Sequence, residues 1–305
     1  MVLTRCAPDR AARVQPDARP PTPARQLLDG AAMRLADAGV ASPGYDAPAL
    51  LAHVLGVRTG AIAAVTGVSD VAAREFERLV AVRCTRVPLQ HLTGVAGFRR
   101  LDIAVGPGVF VPRPETEVLI DWAVQVLGGR DNPLVVDLGA GSGAIALAVA
   151  DEAPAATVHA VEREQAAVGW ARRNLAGHPA GARVTLHQAD IDGCLPELSG
   201  RADLVLANPP YIPDGAGVER EVAEHDPPAA LWGGPDGLAV VRVVARVAAR
   251  LLRPGGHVAI EHADLQGDSV PRLLERVGVF THVADQRDLT GRPRFAVGVR
   301  KGSTA

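Results

Sequence analysis

Asn208-Pro209-Pro210-Tyr211 is the stretch of this sequence whose residue types most restrict the chemistry it can do. Asn208 and Pro209 each precede a proline, which pushes both away from the helical region, and each proline fixes its own φ. The loop is therefore stiff before any substrate arrives. Neither proline has an N–H, so their carbonyls present only acceptors. The Asn208 side-chain oxygen and the Pro209 carbonyl can accept the two hydrogens of an –NH₂ group, while the Tyr211 ring offers a flat face to a planar amide or base. Such a nitrogen is a poor nucleophile because its lone pair is delocalised. Holding both N–H bonds aims it at an electrophile and favours the polarised transition state by positioning and electrostatics. Asn208, Pro209 and Tyr211 are the predicted catalytic residues, and Asn208, Pro209, Pro210 and Tyr211 together the predicted acceptor-binding loop.

A second constellation lies upstream. Asp137-Leu138-Gly139-Ala140-Gly141-Ser142-Gly143-Ala144 follows a β-rich run and opens a helical one. Glycines there allow positive φ and close approach of a ligand, and the helix start offers free N–H groups. The loop alone is ambiguous, since Gly139, Gly141 and Ala144 also satisfy the dinucleotide fingerprint. Its neighbours favour another ligand. Glu162 ends the next strand, where a carboxylate can accept both ribose hydroxyls, and Asp190 follows the third, within reach of an adenine amino group. Asp137 adds negative charge where a dinucleotide would place its pyrophosphate, but suits a cationic sulfonium and its ammonium group. Asp137-x-Gly139-x-Gly141-x-Gly143 resembles the S-adenosylmethionine loop of the Rossmann-like methyltransferases.

The elements that must position these loops follow from periodicity. Beyond Asn132, short β-rich runs alternate with helical ones. Strands are expected at Leu134–Val136, Thr157–Val161, Val184–His187, Leu204–Ala207, Val258–Ile260, Thr281–Ala284 and Phe295–Val299. Helices are expected at Glu115–Leu127, Ala144–Ala150, Glu164–Leu175, Leu238–Leu252 and Asp268–Val277. That alternation predicts an α/β, doubly wound, mainly parallel sheet whose ligands lie beyond the carboxyl ends of the strands. The region 24–86 reads instead as a small helical bundle. Leu27, Ala31 and Leu35 form one stripe ending at Gly39, Asp46 is placed to cap a second helix, and Phe76, Leu79 and Val80 face inward on a third. Residues 87–107 read as a hairpin linker, with Gln90–Thr93 paired to Leu101–Val105. Residues 108–301 then form the catalytic domain, and residues 1–23 an extra, disordered tail.

Composition removes several classes of function. With 48% hydrophobic and 22% charged residues the chain is globular, and its formal net charge of −2 gives no reason to expect nucleic acid as a direct partner. Cys6, Cys84 and Cys194 are far apart and form neither a zinc site nor a disulfide framework, and no metal site is expected. No apolar run is long enough to span a bilayer and the first residues are no secretory signal, so a cytoplasmic enzyme is expected.

The flanking segments narrow the acceptor. Gln90-His91-Leu92-Thr93-Gly94, Phe98 and Arg113-Pro114-Glu115-Thr116-Glu117 resemble the peptide chain release factor glutamine methyltransferases. So do Asp137 to Leu147, Asn208-Pro209-Pro210-Tyr211-Ile212-Pro213, Ala230 to Leu238 and Asp288-Leu289-Thr290-Gly291-Arg292. The resemblance runs in order from Ala24 to Val299. It implies a Rossmann-like class I methyltransferase domain with a small N-terminal helical domain, which would dock the substrate, and a β-hairpin linker. It also implies methyl transfer from S-adenosyl-L-methionine to the glutamine side chain of the Gly-Gly-Gln loop of class I release factors. It places the cofactor on Gly139, Ala140, Gly141, Ser142, Gly143, Glu162, Asp190 and Ile191, with Asn208 shared between cofactor and substrate. Ile191 stands where the family often carries an aromatic residue, and Glu261-His262-Ala263 where Glu-x-Gly is usual. Glu115 and Glu117 are expected to brace the chain rather than react. The same acceptor loop also occurs in a ribosomal-protein glutamine methyltransferase and in adenine-N6 DNA methyltransferases. The acidic run Asp214, Glu219, Glu221, Glu224, Asp226 speaks against DNA, because it would repel phosphates.

Overall fold

The computed structural model describes residues 21–302, and the chain divides after Thr85 into two compact units. Of the tail expected at 1–23, residues 1–20 lie outside the described residues. Thr22–Pro23, however, form a short strand (β1) rather than tail, because Thr22 and Pro23 pair antiparallel with Val68 and Gly67 of a second short strand, β2 (Gly67–Val68).

Between and after them run three helices, α1 (Ala24–Asp37), α2 (Pro43–Leu55) and α3 (Asp70–Cys84). Gly39 adopts φ 75° just past α1, where a left-handed residue lets the chain turn away. Asp46 does not cap α2. It sits inside the helix and meets Arg83 of α3 at 2.7 Å, both side chains being 6% exposed. A short side chain near a helix start reads as a cap, and only the arginine 37 residues away reveals the ion pair instead.

The second unit begins with α4 (Leu89–Thr93), β3 (Val95–Phe98) and β4 (Leu101–Ala104). The hairpin therefore exists, but its first strand is Val95–Phe98, and Gln90–Thr93 is helical, ended by Gly94 at φ 75°. Nor is it a free linker: Ala96, Phe98, Leu101 and Ile103 are buried in the core of the second unit.

The remainder is α5 (Glu117–Leu127), β5 (Leu134–Leu138), α6 (Ala144–Glu152), β6 (Thr157–Glu162), α7 (Gln165–Ala176), β7 (Val184–Gln188), β8 (Ala202–Ala207), α8 (Arg220–His225), α9 (Ala239–Leu251), β9 (Leu252–Glu261), α10 (Ser269–Val277), β10 (Phe280–Arg287) and β11 (Pro293–Arg300). Seven strands join in the order β10-β11-β9-β8-β5-β6-β7. β5 to β9 are mutually parallel, and at one end β11 alone is reversed, antiparallel to both β9 and β10. The expected doubly wound α/β, Rossmann-like sheet is thus present. Along β8, Leu204 and Leu206 enter the core on one face, with residues of α5 and α6, whereas Val205 and Ala207 enter the core shared with α9 and α10. That strict alternation is the pleat of a strand buried on both sides. The shared direction of β5 to β9 brings Leu138, Glu162, Gln188, Ala207 and Glu261 to one edge of the sheet, and the loops that follow them carry the candidate site.

Candidate active site

One cleft of ≈ 910 Å³ runs along that edge, lined at one end by Gly139 to Ser142 and at the other by Asn208, Pro210 and Tyr211. The glycine loop and the acceptor loop are thus two walls of the same cavity.

In the first wall, Gly139, Gly141 and Gly143 adopt φ of 82°, 55° and 80°, a region costly for residues with a Cβ. The N–H groups of Gly139 and Ala140 both donate to the Val161 carbonyl at 2.9 Å, which folds the loop back over β6. Glu162 completes the turn: its carboxylate accepts the Gly141 N–H at 2.8 Å and the Glu164 N–H at 2.7 Å. Each oxygen keeps lone-pair capacity for a further donor. Nothing approaches a Cβ built on Gly141, and only Ile191 Cδ1 comes near one on Gly139, at 3.9 Å. The loop surface is open where a ligand would lie. Asp190 lines the same end, its carboxyl held below the ordinary range by the Asp192 N–H and by Arg163. Glu162, Glu164, Asp190 and Asp192 face Arg163 there, so the donor set fits a cation better than a pyrophosphate.

Two residues of this wall differ from their expected placement. Gly143 does not line the cleft; it starts α6, where a Cβ built on it would stand 3.4 Å from the Ala171 Cβ. Asp137 is fully buried under the loop, Oδ2 accepting the Ala146 N–H at 3.1 Å, and burial pushes its carboxyl up to about 7. Its position next to a glycine loop suggested a charge in the cavity, yet its side chain points beneath the loop toward the helix start.

In the second wall, Asn208 follows β8 directly, and its Nδ2 donates to Thr116 Oγ1 at 3.2 Å. Tyr211 lies beside it with its hydroxyl pushed up to about 12, mainly by burial and then by Glu261, so the phenol is neutral. Pro209 is buried and outside the lining, whereas Pro210 lines the cleft.

Glycines elsewhere in the chain hold this wall in place. Ile212 N–H donates to the Leu231 carbonyl, and Gly233 N–H to the Ile212 carbonyl at 2.8 Å. A Cβ on Gly233 would stand 2.7 Å from the Pro210 oxygen, and one on Gly237 2.3 Å from the Tyr211 oxygen. Gln266 Nε2 reaches the same Tyr211 carbonyl at 3.0 Å. The segment Ala230 to Leu238 is therefore the backing of the acceptor loop. Its glycines signal that close approach, but only the fold shows what approaches. Sequence reasoning missed Thr116, Gln266 and Glu261, although Thr116 stood inside the Arg113–Glu117 run. Arg113, which lines the cleft, binds Asp226 at 2.6 Å and stacks over Phe110 of the same lining, so part of the acidic run is neutralised in place. Among the described residues no group of three or more His, Cys, Asp or Glu is placed to hold a metal.

A parallel sheet with a glycine loop after one strand, an acid ending the next, and Asn-Pro-Pro-Tyr across the shared cleft defines a class I S-adenosylmethionine-dependent methyltransferase. Residues 26–94 match the family model of the PrmC N-terminal domain, and residues 100–225 that of the methyltransferase small domain. A release factor glutamine methyltransferase of Mycolicibacterium smegmatis is 49% identical over 90% of this chain and 97% of its own. Another from Streptomyces coelicolor is 50% identical over 87% of this chain and 94% of its own. A relative from Streptomyces pristinaespiralis, 43% identical over 86% of this chain and 90% of its own, is named 4-amino-L-phenylalanine/4-methylamino-L-phenylalanine methyltransferase. Among solved structures, the hMettl16 catalytic domain shares the fold, with a TM-score of 0.53 at 14% identity over 73% of this chain and 81% of that one. This chain belongs to the release factor glutamine methyltransferase family, and its cofactor is S-adenosyl-L-methionine. No helix among the described residues is long and apolar enough to cross a membrane.

Proposed function

We propose that this protein methylates the side-chain amide nitrogen of the glutamine in the Gly-Gly-Gln loop of class I peptide chain release factors, in the cytoplasm. The observation that carries this reading is the single cleft joining the glycine loop to Asn208 and Tyr211. When bound, S-adenosylmethionine supplies an electrophilic methyl group on a cationic sulfur and a neutral thioether as leaving group.

The residues do the positioning. Gly139, Ala140, Gly141 and Ser142 shape the cofactor wall and Gly143 starts the helix behind it. Glu162 takes the ribose hydroxyls, while Asp190 and Ile191 bound the adenine. At the acceptor, Asn208 Oδ1 and the Pro209 carbonyl each accept one N–H of the glutamine amide, and Pro210 and Tyr211 confine its plane. With the methyl donor bound, the nitrogen would face its methyl carbon; the C–N bond would form as the C–S electron pair leaves with the thioether, and one amide proton would pass to solvent. No side chain is asked to act as a strong base.

The relatives named for release factors support the substrate, and their similarity extends over the helical first unit as well as the catalytic one. That unit leaves Met33, Tyr45 and Val71 62–71% exposed, apolar side chains that a protein partner could cover.

The test is mass spectrometry of a class I release factor incubated with the protein and S-adenosylmethionine. One added methyl on the Gly-Gly-Gln glutamine, absent with Asn208→Ala, is the expected result. An unmodified factor, with cofactor binding intact, overturns the substrate assignment; ribosomal proteins, then 4-amino-L-phenylalanine, then adenine in DNA would be assayed next.

A further inference from the structure

We propose that Thr116 and Glu261 are positioning residues for methyl transfer, fixing the Asn208 amide with its nitrogen turned inward and its oxygen offered to the acceptor. The inference rests on the glutamine-amide reading given above.

The argument is one of hydrogen-bond polarity. An asparagine side chain has a donor end and an acceptor end of nearly identical shape, and packing alone does not distinguish them. If the nitrogen faced the cleft, Asn208 would present hydrogens to an incoming –NH₂ group, donor against donor. The loop therefore needs something that decides the orientation.

Thr116 and Glu261 supply it. Thr116 is 3% exposed and Glu261 2%, so water does not reach either freely. Glu261 ends β9, Thr116 ends the short 3-10 turn before α5, and Asn208 follows β8, so three separate elements converge here. Asn208 Nδ2 donates to Thr116 Oγ1 at 3.2 Å. Ala207 and Ile260 are partners in the parallel β8–β9 register, which sets Asn208 beside Glu261, and Thr116 and Asn208 both favour the ionised Glu261 carboxylate against its burial. An ionised carboxylate only accepts, so the Thr116 proton must point at Glu261, and Oγ1 is left to accept from Asn208. Oγ1 can then bond only a donor, and the nitrogen end of Asn208 is the one that fits. Reversing the amide would set its oxygen against a buried carboxylate.

Burial pushes the Glu261 carboxyl up to about 7, opposed by Thr116, Arg294 and Asn208. Oε2 has no partner, so a proton on that oxygen would leave the other one accepting. The polarity survives partial protonation.

The test compares Thr116→Val, which keeps the shape and removes the hydroxyl, with Thr116→Ser, which keeps the hydroxyl and loses a methyl group. Both are assayed on the Gly-Gly-Gln glutamine, with cofactor affinity and melting temperature measured alongside. Losing the orienting bond should lower kcat by about tenfold in the valine variant, with KM for S-adenosylmethionine nearly unchanged. Serine should restore most of the rate. A packing role predicts the opposite order, because valine fills the site better than serine. Glu261→Gln, whose amide can donate to Thr116 and release the constraint, should also lower kcat without weakening cofactor binding. Wild-type kcat in Thr116→Val, or equal losses in the valine and serine variants, would overturn the inference. Should the valine variant not fold, an unchanged kcat in Glu261→Gln overturns it equally. Failure of the wild-type protein to methylate the glutamine at all would overturn the reading beneath it instead.

Discussion

Asn174 of α7 donates its Nδ2 to the Ser142 carbonyl at 2.9 Å, the residue being 6% exposed. The same amide group donates to the Ala104 carbonyl at 3.0 Å, and its Oδ1 accepts the Ala104 N–H at 2.7 Å. One side chain thus fastens the cofactor loop to the hairpin that precedes it.

Asn174→Ala removes all three bonds and leaves buried backbone groups unpaired. At about 1 kcal/mol for each net bond, the variant should lose about 2–4 kcal/mol of stability in urea titration. Cofactor affinity, followed by calorimetry, should fall roughly tenfold. Unchanged affinity would show that the loop keeps its shape without this anchor.

Gly237 has φ 71°, and a Cβ there would stand 2.3 Å from the Tyr211 carbonyl oxygen. Gly237→Ala should therefore displace the acceptor loop by a fraction of an ångström to an ångström. Misplacement on that scale costs on the order of a hundredfold in rate. Methyl transfer should collapse while S-adenosylmethionine binding persists. Gly217→Ala, where nothing lies within 4 Å and φ is unexceptional, is the matched control and should behave as wild type.

Asp137 gives a pH dependence with a definite sign. Its carboxyl is raised from 3.8 to about 7, first by burial, so the folded state binds this proton more tightly than the unfolded one. Stability from this group is full below the unfolded value and is lost as pH rises toward the folded one. Asp137→Asn removes that loss while keeping an oxygen to accept the Ala146 N–H. At roughly 1.4 kcal/mol per pKa unit, the variant's Tm should gain on the wild type by several degrees between about pH 5 and about pH 8. A constant difference across that range would contradict the assignment. Glu261, also raised by burial, keeps part of the slope in both proteins.

The sheet and both loops of the site were legible because they depend on local rules. Apolar runs between Leu134 and Ala207 alternate with helical ones, and a glycine loop or an Asn-Pro-Pro-Tyr stretch at a strand end has few conformations open to it. What was not legible depends on partners remote in sequence. Asp46 resembles a cap until Arg83 is brought to it, and Leu89–Thr93 carries β-compatible residues yet coils into a helix. Asp137 reads as a site charge until the chain is folded over it. Thr116 and Glu261 meet Asn208 only because β8 and β9 are neighbours and the turn before α5 lies over their ends. No pattern within one segment encodes such a meeting.

The acceptor loop is held from behind by Gln266, 55 residues further along the chain. On a ribosome that separation becomes a delay. The glycine loop, Glu162 and Asp190 leave the exit tunnel well before Gln266 does, so Asn208 and Tyr211 are made before the side chain that supports their loop. A chain interrupted before Gln266 would carry Asn208 to Tyr211 without the hydrogen bond that backs their loop.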